Sequence, residues 1–381
     1  MIEIIFSLSA IFYFLLIGLF FIGILTSKKQ KPGANDWKPI VSVLVPARDE
    51  AATISKTMES LRHQSYPHDK LEVFVIDDHS NDNTAEVAST FIGKHHLDNF
   101  KLIIHRTDGK MPTYKKAAIA FALQHANGEI IMTTDADCIL SPRWVESMVK
   151  RYDNETGMVA GLVTFDPESE KIQRGLSSIF SKLQTLEFAG IVFAGVGAVG
   201  IGKPLICNGS NLSYRRQAFE DVNGFSGHDH LPSGDDDLLM QSIHKKTNWK
   251  IKYSLENSSI NYSHPLRSVP GFLNQRSRWA SKGVHYPGIW ISTMLFLIYL
   301  FYAGLLLLTP LTIIGLFPAS LLVAGFLLKL IPEFLVIVQG LIILDRKDLF
   351  PLFFPAEIFQ IPYVVIVGFR GFFNLFKWKN G

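Results

Sequence analysis

Cysteine is scarce in this 381-residue chain, which contains only Cys138 and Cys207. Two thiols can form at most one disulfide bond, which is too few for a secreted protein stabilised by disulfides. That class is excluded, and a reducing compartment is expected. Charged residues are also few, at 19%, against 48% hydrophobic residues, and this balance excludes a disordered chain. The net charge of +3 is too small to indicate nucleic acid as the main partner.

Charge is missing altogether from two long apolar runs. The first covers 23 residues from Ile4 to Thr26, and the second covers 41 residues from Gly288 to Leu328. A membrane-spanning helix needs roughly 20 apolar residues, so the first run predicts one span and the second has room for two. The first run is longer than the apolar part of a signal peptide and is not closed by a small-residue cleavage site, which favours a retained span.

Basic residues follow the first run at once, at Lys28, Lys29 and Lys31. Positive charge tends to stay on the cytoplasmic side of a membrane, so the middle of the chain is predicted to be cytoplasmic, at the plasma (inner) membrane. The predicted organisation is an N-terminal transmembrane helix over residues 1–27, a cytoplasmic domain over 28–287 and a C-terminal membrane region with two or three spans over 288–381.

Two further apolar stretches are harder to assign. Phe188–Gly200 has 13 residues and several glycines, so it is predicted to be too short to span and to lie at or against the membrane surface. Phe350–Phe376 is interrupted by prolines and fits either a third span or an interfacial helix followed by a partial span.

The middle of the chain alternates between strand-like and helix-like patterns. Four short runs rich in apolar residues are separated by segments with helical spacing, and the runs cover residues 40–45, 71–76, 101–105 and 129–134. This alternation predicts an α/β domain with a mostly parallel sheet. Ligands of such sheets bind at the carboxyl ends of the strands, where Asp78, Asp135 and Asp137 fall.

Carboxylates are the first candidates for chemistry. Asp135 and Asp137 can converge on a divalent cation, because Mg²⁺ and Mn²⁺ prefer hard oxygen ligands, although Asp-x-Asp is also common on surface turns. Asp78 closes a strand where helix capping is the plainer explanation. The run Asp235–Asp237 fits either a general base with supporting carboxylates or a solvated acidic turn.

Basic and histidine residues form a second group of candidates. Lys115 opens a helix and can reach a phosphate or remain solvated, and the histidines of 228–230 fit a loop better than a zinc site. The segment Gln275–Trp279 precedes the membrane, where a basic stretch with tryptophan is a common interfacial anchor.

The order and spacing of these pieces carry more information than any of them alone. The chain resembles the membrane-bound branch of the family 2 glycosyltransferases over roughly Pro39 to Trp279. The matching stretches, in chain order, are Val45–Glu50, Gln64–Pro67, Val75–Thr84, Lys115–Ala118, Thr134–Asp137, Asn208–Arg216, Gly234–Asp237 and Gln275-x-x-Arg278-Trp279.

The resemblance implies a GT-A fold, a UDP-sugar donor, Mg²⁺ or Mn²⁺ as cofactor and inversion at the sugar carbon. It also implies the following residue roles. The donor-binding residues would be Pro46, Ala47 and Glu50 in the nucleotide pocket, Asp78 on the uracil, Lys115 on phosphate and Asp135 on the sugar side, with Asp137 as the metal ligand. Asp236 would be the general base, supported by Asp235 and Asp237, and Gln275, Arg278 and Trp279 would bind the diphosphate and the acceptor.

The sequence departs from the polymer-extruding members of that family. The gating segment that follows Trp279 in them is replaced by Ala280–Tyr286, and few spans follow the domain. We therefore expect transfer to a membrane lipid, with a processive polysaccharide synthase as the alternative. A transporter would need function at Lys329 and Glu333, which are four residues apart and fit a structural pair. A catalytically inactive scaffold would have lost key carboxylates, and they are present.

Overall fold

The predicted alternation of strands and helices is present in the computed structural model, which describes residues 1–30, 33, 36–106, 115–227, 234–284, 286 and 288–377. The chain divides into two compact units. The sheet unit comprises Ser27–Asp166 and Gly202–His264, and the helical unit comprises Met1–Thr26, Pro167–Ile201 and Pro265–Gly381. Residues 167–201 and 265–287 therefore group with the helical unit, whereas the domain limits predicted from sequence stay a prediction.

The strands of the described residues form two sheets in the sheet unit. In chain order they are β1 (Val41–Ala47), β2 (Leu71–Asp78), β3 (Phe100–His105), β4 (Ile130–Thr133), β5 (Ile139–Leu140), β6 (Thr156–Gly161), β7 (Val163–Phe165), β8 (Leu212–Arg215), β9 (Lys250–Ser254) and β10 (Asn261–Ser263). The large sheet has the order β3-β2-β1-β4-β8-β6-β9, and the small one β5-β10-β7. Only β8 runs antiparallel in the large sheet, as its pairing with β4 and β6 shows.

The helices of the described residues are, in chain order, α1 (Ile2–Lys29), α2 (Ile54–Arg62), α3 (Thr84–His95), α4 (Lys115–Leu123), α5 (Trp144–Val149), α6 (Pro167–Ile172), α7 (Leu176–Gly200), α8 (Arg216–Asp221), α9 (Asp237–Lys246), α10 (Val269–Ser281), α11 (Ile289–Ile313), α12 (Ala319–Ile343) and α13 (Phe353–Phe372). Short 3₁₀ turns cover His68–Lys70, Asn257–Ser259, Lys282–Val284 and Lys347–Leu352.

The middle of the large sheet is the core of the sheet unit. Val43, Val75 and Met132, on β1, β2 and β4, are fully buried. Strands covered on both faces have continuous apolar runs, which is why these segments were recognisable in the sequence. β1 continues through Pro46, where the sequence predicted its end. The ladder with β4 stops at Leu44, so the missing N–H of Pro46 costs no hydrogen bond on that side.

Five described helices are long and apolar enough to cross a membrane: α1, α7, α11, α12, and α13 with its preceding turn. The prediction that the stretch ending at Gly200 is too short was wrong in its length, because α7 begins at Leu176. Polar residues that ended the apolar run in the sequence have partners within the helical unit. Gln184, for example, donates to the Leu266 carbonyl at 2.9 Å.

The glycines of α7 permit a close crossing with α1. A Cβ added to Gly23 would lie 1.9 Å from the carbonyl oxygen of Gly197. A larger residue at position 23 would therefore prevent the two helices from approaching this closely. Small residues at such crossings are typical of helices that associate in membranes.

Candidate active site

The end of β1 leads into a loop that is held to the loop after β2. Pro46 and Ala47 close β1, and Ala47 is buried. The Glu50 N–H donates to the Thr84 hydroxyl at 2.8 Å, while the Glu50 carboxylate accepts from the Thr53 hydroxyl at 2.6 Å. The predicted nucleotide-pocket residues Pro46, Ala47 and Glu50 thus lie at the carboxyl edge of the sheet, where these hydrogen bonds hold the turn that follows β1.

Asp78 ends the neighbouring strand β2 and is 5% exposed. Its Oδ1 accepts hydrogen bonds from Nδ1 of His79 and Nδ1 of His105, each at 2.9 Å. His105 was not singled out in the sequence, although its position at the end of β3, in register with Asp78, is a signal that could have found it.

Lys115 connects two carboxylates that are far apart in the sequence. Its ammonium group lies 2.5 Å from Asp135 Oδ1 and 3.3 Å from Asp235 Oδ2. Burial opposes the charge of this lysine, but Asp135, Asp235 and Asp236 outweigh it and raise the pKa of Lys115 above its ordinary value. The lysine therefore remains cationic at physiological pH in a strongly acidic surrounding.

Gly209 brings a backbone segment directly against this acidic cluster. Its N–H donates to Asp236 Oδ2 at 3.3 Å, and its carbonyl accepts from the Thr133 hydroxyl at 2.7 Å, at the end of β4. A Cβ at this position would lie 2.8 Å from Asp235 Oδ2 and 3.4 Å from Lys115 Nζ. A side chain at this position would have to displace the Asp235 carboxylate from its place beside Lys115.

The three adjacent aspartates have three different environments. Asp235 contacts Lys115, as described above. Asp236 is the N-cap of α9, and its Oδ1 accepts from the Asp237 N–H at 2.7 Å. Asp237 is 1% exposed at the start of that helix. The acidic run is therefore neither a solvated turn nor three equivalent carboxylates, since only Asp235 and Asp236 are partly exposed.

Asp137 follows β4 two residues after Asp135, and both side chains are partly exposed. Burial raises the pKa of the adjacent Cys138 thiol, so the carboxylates and not the sulfur are the charged ligands on this turn. The donor set of this turn consists of carboxylate oxygens, which fits Mg²⁺ or Mn²⁺. The ligating atoms of Asp78, His79 and His105 also lie within 4.8 Å of one another, and such a group can hold a metal with nitrogen ligands.

The predicted diphosphate and acceptor residues Gln275, Arg278 and Trp279 lie on α10 in the helical unit. Arg276, which follows Gln275 on the same helix, was not singled out in the sequence but makes several contacts. Its guanidinium group lies 2.6 Å from Glu187 Oε2 on α7, donates to Gln275 Oε1 at 2.5 Å and lies 4.2 Å from the centre of a Trp279 ring. Arg276 thus positions two of the three predicted residues.

His228 and His230 lie outside the described residues, as do residues 231–233. The predicted pairing of Lys329 and Glu333 on one face of α12 is confirmed, with 3.0 Å between the charged groups. The cluster is larger than predicted: Lys329 also contacts Glu357 on α13, and Glu333 accepts from the Tyr13 hydroxyl on α1 at 2.5 Å. The charged and hydroxyl groups of this cluster pair with one another and connect three helices. A structural role therefore explains these ionisable residues.

The family model for glycosyl transferase family 2 matches residues 42–222, which contain β1 to β8 with Asp78, Lys115, Asp135 and Asp137. This part of the chain is a family 2 glycosyltransferase domain. A mannosyltransferase from Pyrobaculum calidifontis, solved in complex with GDP-Man and Mn²⁺, superposes with a TM-score of 0.62 at 19% identity. The superposition covers 98% of this chain and 99% of that one, and it confirms the GT-A fold expected from the sequence.

Curated relatives of the family 2 domain include enzymes named for two kinds of product. Poly-beta-1,6-N-acetyl-D-glucosamine synthase of Staphylococcus epidermidis is 26% identical over 255 residues, which is 64% of this chain and 54% of that protein. Beta-monoglucosyldiacylglycerol synthase of Trichormus variabilis is 25% identical over 245 residues, 64% of this chain and 49% of that protein. The chain thus spans about half the length of these curated relatives.

Proposed function

We propose that the protein transfers a sugar from a nucleotide-sugar to an acceptor at the membrane, with inversion and with the help of a divalent cation. The observation that carries this proposal is the convergence of Lys115, Asp135 and Asp235 within 3.3 Å at the carboxyl edge of a family 2 domain. This arrangement supports the proposal, because a lysine ammonium group can pair with a donor diphosphate and carboxylates can bind a divalent cation.

In the proposed mechanism, Asp137 would hold Mg²⁺ or Mn²⁺, and Asp135 would contact the sugar side of the donor. When bound, the cation neutralises the charge of the leaving diphosphate. Lys115 contributes positive charge to the same group, and on binding the donor it exchanges a carboxylate contact for a phosphate contact. Gln275 and Arg278 stay predicted contacts of the diphosphate.

The proposed general base is Asp236, which accepts the proton of the attacking hydroxyl group. A specific contact makes Asp235 the second candidate, because Asp235 is the member of the acidic run that contacts Lys115. Asp236 also caps α9, so its carboxylate has a structural role that Asp235 lacks. Asp237 is buried and is proposed only as a support.

The proposed acceptor is a membrane lipid. Five described helices are long and apolar enough to cross a membrane, one before the family 2 match, one within it and three after it. One curated relative is named as a monoglucosyldiacylglycerol synthase. Trp279, half-buried on α10, offers a flat aromatic face to a sugar or a headgroup. The alternative is a polysaccharide synthase, since another relative is named for a polymer of N-acetylglucosamine.

The proposed donor is a UDP-sugar, and the proposed location of the sheet unit is the cytoplasmic face of the plasma (inner) membrane. The orientation rests on Lys28 and Lys29 in the last turn of α1 and on Lys31 after it. The proposed domain limits are those predicted from the sequence: residues 1–27, 28–287 and 288–381.

The test is sugar transfer by the purified full chain with a panel of UDP- and GDP-sugars, with and without an extract of native membrane lipids. Excess EDTA and Asp137→Ala should each abolish turnover. Asp236→Asn should lower the transfer rate about 10²–10⁴-fold with nucleotide binding retained. Asp69→Asn, on the exposed turn before β2, is the matched control and should leave the rate unchanged.

Each possible result of these transfer assays supports or refutes a specific part of the proposal. Loss of transfer in Asp235→Asn but not in Asp236→Asn moves the base to the second candidate. Full activity in excess EDTA refutes the role of the cation. Label that moves into an organic-extractable product supports the lipid acceptor, whereas label in a water-soluble chain of high molecular weight supports the polysaccharide synthase. No transfer or hydrolysis with any donor would refute the proposed activity.

A further inference from the structure

The Asp78 carboxylate is held by two histidines on the same oxygen atom, and nothing in the proposed mechanism uses them. We propose that His79 and His105 form a clamp that makes the nucleotide pocket selective for uracil over guanine. The inference rests on the proposed function, since it assumes that Asp78 meets the base of a nucleoside diphosphate.

Two of the three residues involved, Asp78 and His105, belong to the large sheet, and His79 follows β2 directly. Asp78 on β2 and His105 on β3 are partners in the register of the two parallel strands. His105 is 6% exposed, and its ring packs against Phe121 with 5.3 Å between ring centres. The orientation of the His105 ring is therefore restricted by its burial and by its contact with Phe121.

His79 reaches the same oxygen through an unusual backbone conformation. Its φ is +60°, in the left-handed region that residues other than glycine seldom adopt. This conformation turns the His79 ring back toward the end of β2, edge-on to His105 with 5.6 Å between the ring centres. Strain of this kind persists where the surrounding structure holds it, and such positions are concentrated at functional sites.

The two hydrogen bonds use up the capacity of one carboxylate oxygen. An ionised carboxylate only accepts, so both rings must carry a proton on Nδ1. Each carboxylate oxygen has two lone-pair sites, and Oδ1 of Asp78 already accepts twice, at 2.9 Å each. Among the contacts of the described residues, Oδ2 of Asp78 accepts none, so it keeps its full capacity for a ligand.

Uracil and guanine make different demands on such a carboxylate. Uracil offers one imide N–H, at N3, which a single oxygen can accept. Guanine offers two adjacent donors, N1–H and the N2 amino group, which match both oxygens of a free carboxylate in a bidentate pair. With Oδ1 saturated, the second guanine donor is left without an acceptor, and an unpaired buried donor is costly.

The experiment measures the dissociation constants of UDP and GDP for the purified full chain in saturating Mg²⁺, by titration calorimetry. We expect wild type to bind UDP at least about tenfold more tightly than GDP, which is the effect of one hydrogen bond to a charged group. His105→Phe keeps the ring but loses the Nδ1 donor, so the preference should fall about tenfold, toward equal affinities. His105→Asn restores an N–H donor and should restore the preference.

The control is His95→Phe, because the His95 ring contacts Phe91 within α3 and makes none of the Asp78 contacts described above. This variant should keep the wild-type preference. Thermal midpoints of all variants report whether each one folds.

The outcomes separate the inference from the proposed function. Wild type that binds neither nucleotide refutes the proposed function and the inference with it. Wild type that binds UDP, but with an unchanged preference in folded His105→Phe or a lost preference in His105→Asn, refutes the inference alone. Stoichiometric zinc in wild type that disappears in His105→Phe would also overturn the clamp, because the imidazoles would then be metal ligands.

Discussion

Replacing Arg276 with methionine should destabilise the helical unit by removing the centre of a buried ionic contact. Arg276 is 2% exposed on α10, and its Nε lies 3.0 and 3.1 Å from the two carboxylate oxygens of Glu187 on α7. Tyr363 on α13 donates to the same carboxylate at 2.7 Å. Three helices therefore depend on one guanidinium–carboxylate pair.

The size of the stability loss depends on whether a buried charge is left without its partner. Removing one partner of a buried pair costs about 3–5 kcal/mol, because the other charge stays buried and unpaired. Removing both partners costs far less, since apolar replacements of similar volume are often neutral. Arg276→Met combined with Glu187→Met should therefore be more stable than Arg276→Met alone, with a coupling of at least about 2 kcal/mol.

The assay is the unfolding of wild type, the two single variants and the double variant in one detergent, followed by tryptophan fluorescence. Arg276→Lys is the matched control, because lysine keeps the positive charge but lacks the planar guanidinium fork. Its loss of stability should lie between zero and that of Arg276→Met. If the stability losses of the two single variants add up to that of the double variant within about 0.5 kcal/mol, the reasoning is refuted, because such additivity is typical of independent sites.

Further expectations concern single positions. Gly209→Ala should reduce sugar transfer at least about tenfold, because its Cβ would lie 2.8 Å from Asp235 Oδ2, whereas Gly93→Ala, in open space on α3, should be neutral or slightly stabilising. Burial opposes ionisation at Asp153, but hydrogen bonds from a lysine and a threonine lower its pKa from 3.8 to about 2. Its stabilising contribution is fully present above pH 3.8 and is lost as the pH falls through 2, so Asp153→Asn should cost up to about 1 kcal/mol in unfolding at neutral pH and progressively less as the pH falls below 2. Lys329→Met should cost about 3–5 kcal/mol in detergent unfolding, because its two glutamate partners stay buried.

The acidic run illustrates the limit of sequence reasoning within the sheet unit. Three adjacent aspartates have the same local sequence properties, so composition and spacing could not rank them. Their roles depend on the start of α9, which makes Asp236 a cap and buries Asp237. The contact of Asp235 with Lys115 joins residues 120 positions apart, and no local pattern reports it.

The helical unit shows the same limit for membrane segments. The apolar runs of α1, α11 and α12 were long enough to be recognised without any structure. α7 was underestimated because Gln184 and Glu187 interrupt its apolar run. These polar residues are compatible with a buried helix only because Leu266 and Arg276 supply their partners from elsewhere in the chain.

The sequence by itself determined the strand–helix alternation, the long apolar runs of α1, α11 and α12 and the set of carboxylates, because apolar periodicity and motif order are local properties of the chain. Only the tertiary structure decided that Lys115 joins Asp135 to Asp235, that two histidines share one oxygen of Asp78, and that Arg276 holds α10. The physical reason is that hydrogen bonds and ion pairs require particular atoms within about 3 Å, and for residues distant in sequence that separation is set by how strands register and helices pack.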